Sequence, residues 1–164
     1  MKRILYIDFE GNLKKGIREV GYLLLENSKI INADEKSDEE AIDFLFKLED
    51  LNLKYIFAHN YSIEKNLIKK YLPYKLNKNK SKIIKYKWLD TLVIYRELYP
   101  QLKKYDLKSL IETFIDQKNL NVLANALCKP NRKSYHYPMF DCLCVYMLIQ
   151  RIESTIDLSH FHQE

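Results

Sequence analysis

The chain has 164 residues, of which 47% are hydrophobic and 30% charged, and its net charge at pH 7 is +5. This length fits one domain with a substantial core, and no apolar run reaches the roughly 18 residues that a membrane-spanning helix needs. The basic balance permits a polyanionic partner but does not by itself indicate one.

The first residues and the cysteines both favour a cytoplasmic protein. The apolar run before Asp8 has only four residues, Ile4 to Ile7, which is too few for the apolar region of a signal peptide. Cys128, Cys142 and Cys144 are too few and too unevenly spaced for a disulfide framework, so we expect them to be free and buried. We expect one domain over residues 1–164, with its core at about 3–152.

The first third of the chain predicts a sheet with one helix. Four segments have the pattern of buried strands: residues 3–8, 19–25, 29–32 and 54–58. Residues 11–16 form a polar turn, and Asn27-Ser28 favours a tight hairpin. Residues 37–48 predict a helix with Ser37 as N-cap and Glu40 completing a capping box. Its apolar stripe comprises Ile42, Leu45, Phe46 and Leu48.

The remainder of the chain predicts helices that alternate with short connections. The predicted elements are a helix from Ser62 to about Pro73, a lysine-rich connection over 74–87, a short strand at Trp88-Leu89, and helices over 91–98, 107–114 and 138–152. Asp90 is interpreted as the cap of the helix predicted over 91–98 rather than as a metal ligand. The tail from Asp157 to Glu164 is expected to be frayed. The order of elements predicts an α/β fold with a mixed sheet flanked by helices.

Two carboxylates stand at the end of the first predicted strand. Asp8 and Glu10 are separated by one residue, and alternation along a strand places such residues on one face. Converging carboxylates repel each other unless a cation lies between them, and hard divalent cations prefer oxygen ligands. A solvated strand end is the alternative interpretation of this motif.

A histidine and an aspartate flank the start of the last predicted helix. Pro138 suits the first position of a helix, so His136 lies just outside it and Asp141 about one turn inside. The histidine can then lean over the space that the aspartate faces. Alone, this pattern also fits a surface or capping histidine.

A third carboxylate, Glu64, follows His59-Asn60 in the first turn of the helix predicted after Ser62. A helix N-terminus favours an anion, so complementarity to the helix dipole is the alternative to a role at a site.

In this order the three motifs resemble the DEDD superfamily of 3′–5′ exonucleases. They are most similar to its histidine-containing DEDDh, or DnaQ-like, branch, which includes ribonuclease T and the proofreading epsilon subunit of bacterial replicative polymerase. Residues 17–21 and 90–110 also resemble family segments, so the resemblance covers about residues 3–152. It implies a ribonuclease H-like mixed sheet flanked by helices, and hydrolysis of a phosphodiester at the 3′ end of single-stranded DNA or RNA.

The resemblance also implies two divalent ions, Mg²⁺ or Mn²⁺, as cofactors. Asp8, Glu10 and Asp141 would hold the first ion, Asp8 with Glu64 the second, and His136 would take the proton from the attacking water. The residues beside these groups are the candidate substrate contacts: Phe9, Gly11, His59, Asn60 and Lys65. The implied partner is a nucleic acid with a free 3′ end, and a polymerase or other protein partner is left open.

Two positions depart from the family pattern, and they motivate an alternative function. Gly11 stands where the family usually has threonine, and Glu64 stands where it usually has aspartate. A catalytically weak relative that serves as a nucleic-acid or protein-binding module is therefore the second hypothesis. A purely structural α/β domain is the third.

The segment from Lys65 to Leu89 contains nine lysines and no acidic residue, with tyrosines and Trp88 among them. Such a segment can follow a phosphate backbone and stack on bases. A solvated loop is an equally good interpretation.

Overall fold

A five-stranded mixed sheet forms the centre of the fold. The computed structural model describes residues 3–62 and 88–161. The strands are β1 (Arg3–Asn12), β2 (Gly16–Glu26), β3 (Lys29–Ser37), β4 (Leu53–Ala58) and β5 (Trp88–Asp90). Their order across the sheet is β3-β2-β1-β4-β5. The ribonuclease H-like mixed sheet expected from the sequence is confirmed.

The sheet has an antiparallel and a parallel half that meet at β1. β2 pairs antiparallel with both β1 and β3, whereas β4 pairs parallel with β1 and with β5. The carboxyl ends of parallel strands meet at one edge of a sheet, which is a common place for ligand binding in α/β folds. The residues that follow β4 and β5 therefore lie at the edge towards which β1 carries Asp8.

Five α-helices in the described part of the chain cover the two faces of the sheet. They are α1 (Asp38–Phe46), α2 (Thr91–Leu98), α3 (Leu107–Phe114), α4 (Gln117–Leu127) and α5 (Pro138–Ile152). Two short 3-10 helices cover Leu48–Leu51 and Leu158–Phe161. α1 packs on β2 and β3 on one face, and α5 packs across β1, β2 and β4 on the other. None of the helices in residues 3–62 and 88–161 has the length and apolar character needed to cross a membrane.

Alternation along β1 decides which side chains face each layer. Leu5, Ile7 and Phe9 belong to the buried cluster on the α1 side, whereas Tyr6 belongs to the cluster that contains α5. Asp8 and Glu10 continue the Tyr6 series, so they face α5.

The helix α5 is buried almost all round because it lies between the sheet and the helices α3 and α4. Pro138 occupies its first turn, as the sequence predicts, since the fixed φ of proline suits that position. The three cysteines are free and buried, which confirms the expectation from their spacing.

The hairpins are longer than the sequence predicts. β1 continues to Asn12 and β2 begins at Gly16, so the predicted polar turn over 11–16 shrinks to three residues. The strands continue because backbone pairing does not require apolar side chains at an exposed hairpin end. Asn27 and Ser28 both have positive φ, as the predicted tight hairpin requires.

The prediction for α1 is wrong in two details. Ser37 occupies the N-cap position, but its side chain makes no capping hydrogen bond, so the capping box is absent from this helix end. Phe46 is 45% exposed, and Phe44 is buried in its place, with its ring stacked on Tyr22. The apolar face that packs on the sheet is therefore turned relative to the predicted stripe.

Two segments in the last third of the chain differ from the sequence prediction. The helix α4 was not predicted, and its N-cap Asp116 accepts a hydrogen bond from the backbone N–H of Lys118. The tail was expected to be frayed, but Leu158 and Phe161 pack against the main core. The helix predicted after Ser62 and the lysine-rich connection, with Glu64 and Lys65, lie outside the described residues.

Candidate metal-binding site

Glu10, His136 and Asp141 converge where the end of β1 faces the start of α5. One ligand atom of each residue, a carboxylate oxygen or an imidazole nitrogen, lies within 4.8 Å of the other two. The sequence predicted that His136 and Asp141 share one space, and the family resemblance implied that Glu10 joins Asp141. The structure brings the three residues together. Asp8 is not a member of this tight group.

Asp8 nevertheless lies next to α5, on the same face of β1 as Glu10. Burial raises the pKa of the Cys142 thiol in α5, and the charge of Asp8 raises that pKa further. Cys142 directly follows Asp141, so the Asp8 carboxylate is close to the first turns of the helix. Glu64, the remaining predicted ligand, lies outside the part of the chain that the structure describes.

The close approach of α5 to the sheet depends on Gly21 in β2. Gly21 is the register partner of Asp8. A Cβ atom at position 21 would overlap the backbone of Pro138 and Met139. The missing side chain therefore lets the helix start lie directly on the sheet, which places Asp141 beside β1. Glycine inside a strand often marks such an approach, and this signal was present in the sequence.

We expect Gly21→Ala to lower the free energy of unfolding by about 1–3 kcal/mol, the usual cost of overpacking. The neighbouring atoms belong to the backbone, so the strain can be relieved only by moving the start of α5. Urea denaturation monitored by circular dichroism measures the decrease in the free energy of unfolding. An unchanged free energy of unfolding would show that the helix start tolerates the displacement.

His136 has an unusual backbone conformation that Asp141 stabilises. Its φ is 72°, in the left-handed region that non-glycine residues seldom adopt. The backbone N–H of His136 donates a hydrogen bond of 3.0 Å to Oδ2 of Asp141. The helix thus holds both the aspartate and the segment that carries the histidine.

The other oxygen of Asp141, Oδ1, is buried and has no hydrogen-bond partner among the described residues. A buried carboxylate oxygen without a donor is costly, and a cation is one group that satisfies it. Asp141 is 8% exposed, Glu10 is half-buried and His136 is exposed, so solvent reaches the site from the histidine side.

The pKa values of the two carboxyl groups respond to their burial. Burial raises the pKa of Asp141 to about 6, while the backbone N–H and the charge of His136 lower it and the charge of Glu10 raises it. Burial also raises the pKa of Glu10, against the lowering effect of Arg18 and His136. Burial therefore disfavours the charged form of each carboxyl group, and a bound divalent cation would offset this electrostatic cost.

The donor atoms fit a hard divalent cation such as Mg²⁺ or Mn²⁺. Both ions prefer carboxylate oxygens, and an imidazole nitrogen is also accepted by Mn²⁺. The unsatisfied oxygen of Asp141 is the atom that carries this fit. The arrangement can bind an ion between Glu10 and Asp141 with His136 at its exposed side.

Asp90 fixes the sheet edge next to the site. Its carboxylate accepts hydrogen bonds from the backbone N–H groups of Asn60 at 2.8 Å, Tyr61 at 3.1 Å and Leu92 at 2.8 Å. The predicted capping role of Asp90 is confirmed, and the cap also ties the end of β4 to α2. Sequence reasoning did not anticipate the bonds to Asn60 and Tyr61.

The predicted substrate contacts occupy different environments. Phe9 is buried on the α1 side of the sheet. His59 is partly buried, with Nδ1 2.8 Å from the hydroxyl of Thr91, and burial lowers its pKa. Asn60 is exposed with a positive φ. The substrate-binding roles of these residues stay predictions, as does that of Lys65 outside the described ranges.

The unusual glycine after Glu10 has a local structural reason. A Cβ atom at Gly11 would overlap the carbonyl of Gly16 and approach Cα of Ile17 to 2.9 Å. The register of β1 and β2 shifts between Glu10 and Gly11, so the two strands are crowded there. A threonine at this position would require the hairpin to rearrange.

Comparison with solved structures supports the fold over nearly the whole chain. One of these structures is described as exonuclease X in complex with 5′ overhanging duplex DNA, and it matches 99% of this chain and 98% of its own with a TM-score of 0.60. The sequence identity is 21%, so the likeness shows the fold and not the activity. No protein-family model and no curated protein matches the chain.

Proposed function

We propose that the protein is a metal-dependent 3′–5′ exonuclease of the DEDDh type, which releases nucleotides from the 3′ end of single-stranded DNA or RNA by two-metal-ion hydrolysis. The observation that carries the proposal is the convergence of Glu10, His136 and Asp141 within 4.8 Å. Glu10 lies more than a hundred residues before His136 and Asp141 in the sequence, and the three residues match three positions of the predicted motif.

Each residue has a definite role in this proposal. Asp8, Glu10 and Asp141 would hold one ion, and Asp8 with Glu64 would hold the second. Ions held there would supply charge neutralisation for the scissile phosphate. His136 accepts the proton of the attacking water, and its exposed position leaves room for that water and the strand end.

The likeness to the exonuclease X structure supports this function at the level of fold. That protein was solved with duplex DNA, which makes DNA the first substrate to test here. A fold alone does not imply an activity, so the argument depends on the residues of the site.

A catalytically weak exonuclease-like fold that serves as a nucleic-acid or protein-binding module is the second candidate function. The observation that favours it is Glu64 in place of the aspartate usual in the family, together with Gly11. The structure explains Gly11 by crowding in the β1–β2 hairpin, so that departure has a cause other than loss of activity.

We expect the purified protein to shorten 5′-labelled single-stranded DNA or RNA from the 3′ end in Mg²⁺ or Mn²⁺, which gives a ladder of shorter labelled products. Both strands should stay intact in chelator. Strands with a 3′-phosphate and circular strands should resist, because the site requires a free 3′ hydroxyl end. Gel analysis of the four substrate types measures this. Rapid cleavage of circular strands would indicate an endonuclease, and binding without cleavage would favour the second candidate.

A further inference from the structure

An ion-pair cluster fastens the segment before α5 to the sheet. The Arg132 guanidinium donates to Oε1 of Glu19 at 2.7 Å and also pairs with Glu35. Lys129 is 3.9 Å from the same Glu35 carboxylate. Glu19 belongs to β2 and Glu35 to β3, so Arg132 connects the segment between α4 and α5 to two strands at once.

Arg132 also contacts the residue that follows the histidine. Its guanidinium lies over the ring of Tyr137, 4.4 Å from the ring centroid. Tyr137 is the N-cap of α5 and the neighbour of His136. One side chain thus touches both the sheet and the backbone segment in which His136 adopts its left-handed conformation.

The charges in this cluster make Arg132 difficult to replace. The Glu35 side chain is 5% exposed, and that of Glu19 is 16% exposed. Glu19 is also the register partner of Glu10, and its charge raises the Glu10 pKa. A planar guanidinium can bond two carboxylates while it stacks on an aromatic ring, which a lysine cannot do.

We propose that Arg132 is a positioning residue that holds His136 over the carboxylates by fixing the segment from Lys129 to Tyr137 on the sheet. This role follows from the contacts of Arg132 with Glu19, Glu35 and Tyr137. It requires no contact with the carboxylates of Asp141 or Glu10. The effect that replacing Arg132 has on turnover rests on the proposed exonuclease function. Its effect on the conformation of the segment does not.

Amide hydrogen exchange by NMR tests the positioning in metal-free protein. We expect Arg132→Gln to speed exchange of the His136 amide, which donates to Asp141, by about tenfold relative to the Leu148 amide inside α5. Arg132→Lys should give an intermediate rate. Arg151→Gln is the matched control, because Arg151 also stacks on an aromatic ring but lies at the far end of α5.

The comparison with Leu148 separates local loosening from global instability. If both amides exchange faster in proportion, or if neither changes, Arg132 does not position the His136 segment and the proposal is overturned. The control variant should leave the ratio of the two rates unchanged.

Kinetics then test whether the positioning serves the reaction. Arg132→Gln should lower kcat by about tenfold with little change in KM, and the same change in a His136→Ala background should have no further effect. Equal losses in both backgrounds would contradict action through His136. If the wild type does not cleave at all, the proposed function fails, and the exchange ratio still decides the role of Arg132.

Discussion

Asp141→Asn should abolish metal-dependent cleavage and at the same time stabilise the metal-free protein above pH 6. Asparagine keeps an oxygen that can accept the N–H of His136, so the helix start should remain in place. It removes the buried negative charge, which is unfavourable next to Glu10 when no cation is bound. Loss of activity combined with gain of stability distinguishes a metal ligand from a residue that only supports the fold.

The pH dependence of this effect follows from the direction of the pKa shift. The pKa of Asp141 rises from 3.8 to about 6 on folding. The folded state therefore binds this proton more tightly, and the associated stability is present in full below pH 3.8 and is lost as the pH rises through about 6. We expect the free energy of unfolding of Asp141→Asn to exceed that of the wild type by about 2 kcal/mol at pH 8. The difference should disappear near pH 4.

Urea denaturation in chelator at several pH values measures the difference. Asp43→Asn is the matched control, because Asp43 is exposed on α1, on the opposite face of the sheet. A control variant with the same gain would indicate a general charge effect. A loss of stability in Asp141→Asn at pH 8 would show that the carboxylate contributes to the fold and would argue against a metal-ligand role.

His136→Ala should lower kcat by about 10² to 10⁴, the usual contribution of a general base. The carboxylates remain, so metal affinity and strand binding should change little. His136→Asn is the companion variant, because asparagine tolerates the left-handed conformation at φ 72° and has no basic nitrogen. Similar losses in both variants would assign the effect to the imidazole and not to the backbone.

Steady-state kinetics on a 5′-labelled strand measure kcat, and single-turnover kinetics show whether the chemical step carries the loss. His160→Ala serves as the control, since His160 is an exposed histidine in the last 3-10 helix. A wild-type rate in both His136 variants would remove the histidine from the mechanism. Weakened metal binding in both would instead identify His136 as a ligand, which its place in the 4.8 Å group permits.

The parts of the site that follow local rules were predictable from the sequence. Strand alternation placed Asp8 and Glu10 on one face, and proline chemistry placed His136 outside α5 with Asp141 inside it. The cap at Asp90 was likewise predicted from its position before an apolar helical segment. Each of these depends on residues close together in the chain.

The parts that depend on distant residues were not predicted. Gly21 matters because α5, more than a hundred residues later, lies on it, and Arg132 matters because Glu19 and Glu35 lie on other strands. The helix α4 was missed because its buried side is narrow, with Leu120 and Ala124 as its buried residues. Tertiary packing decides such features, and a single sequence records them only weakly.

Calorimetric titration of Mn²⁺ into the wild type and into Asp141→Asn tests most directly whether the carboxylates of Glu10 and Asp141 form a metal centre beside His136. We expect the wild type to bind Mn²⁺ and the variant to bind it with about tenfold or more lower affinity, because a carboxylate that contacts the ion is removed. The Asp43→Asn control should bind as the wild type does. Equal Mn²⁺ affinities in all three proteins, or no binding by the wild type, would contradict the metal centre on which the proposed exonuclease function depends.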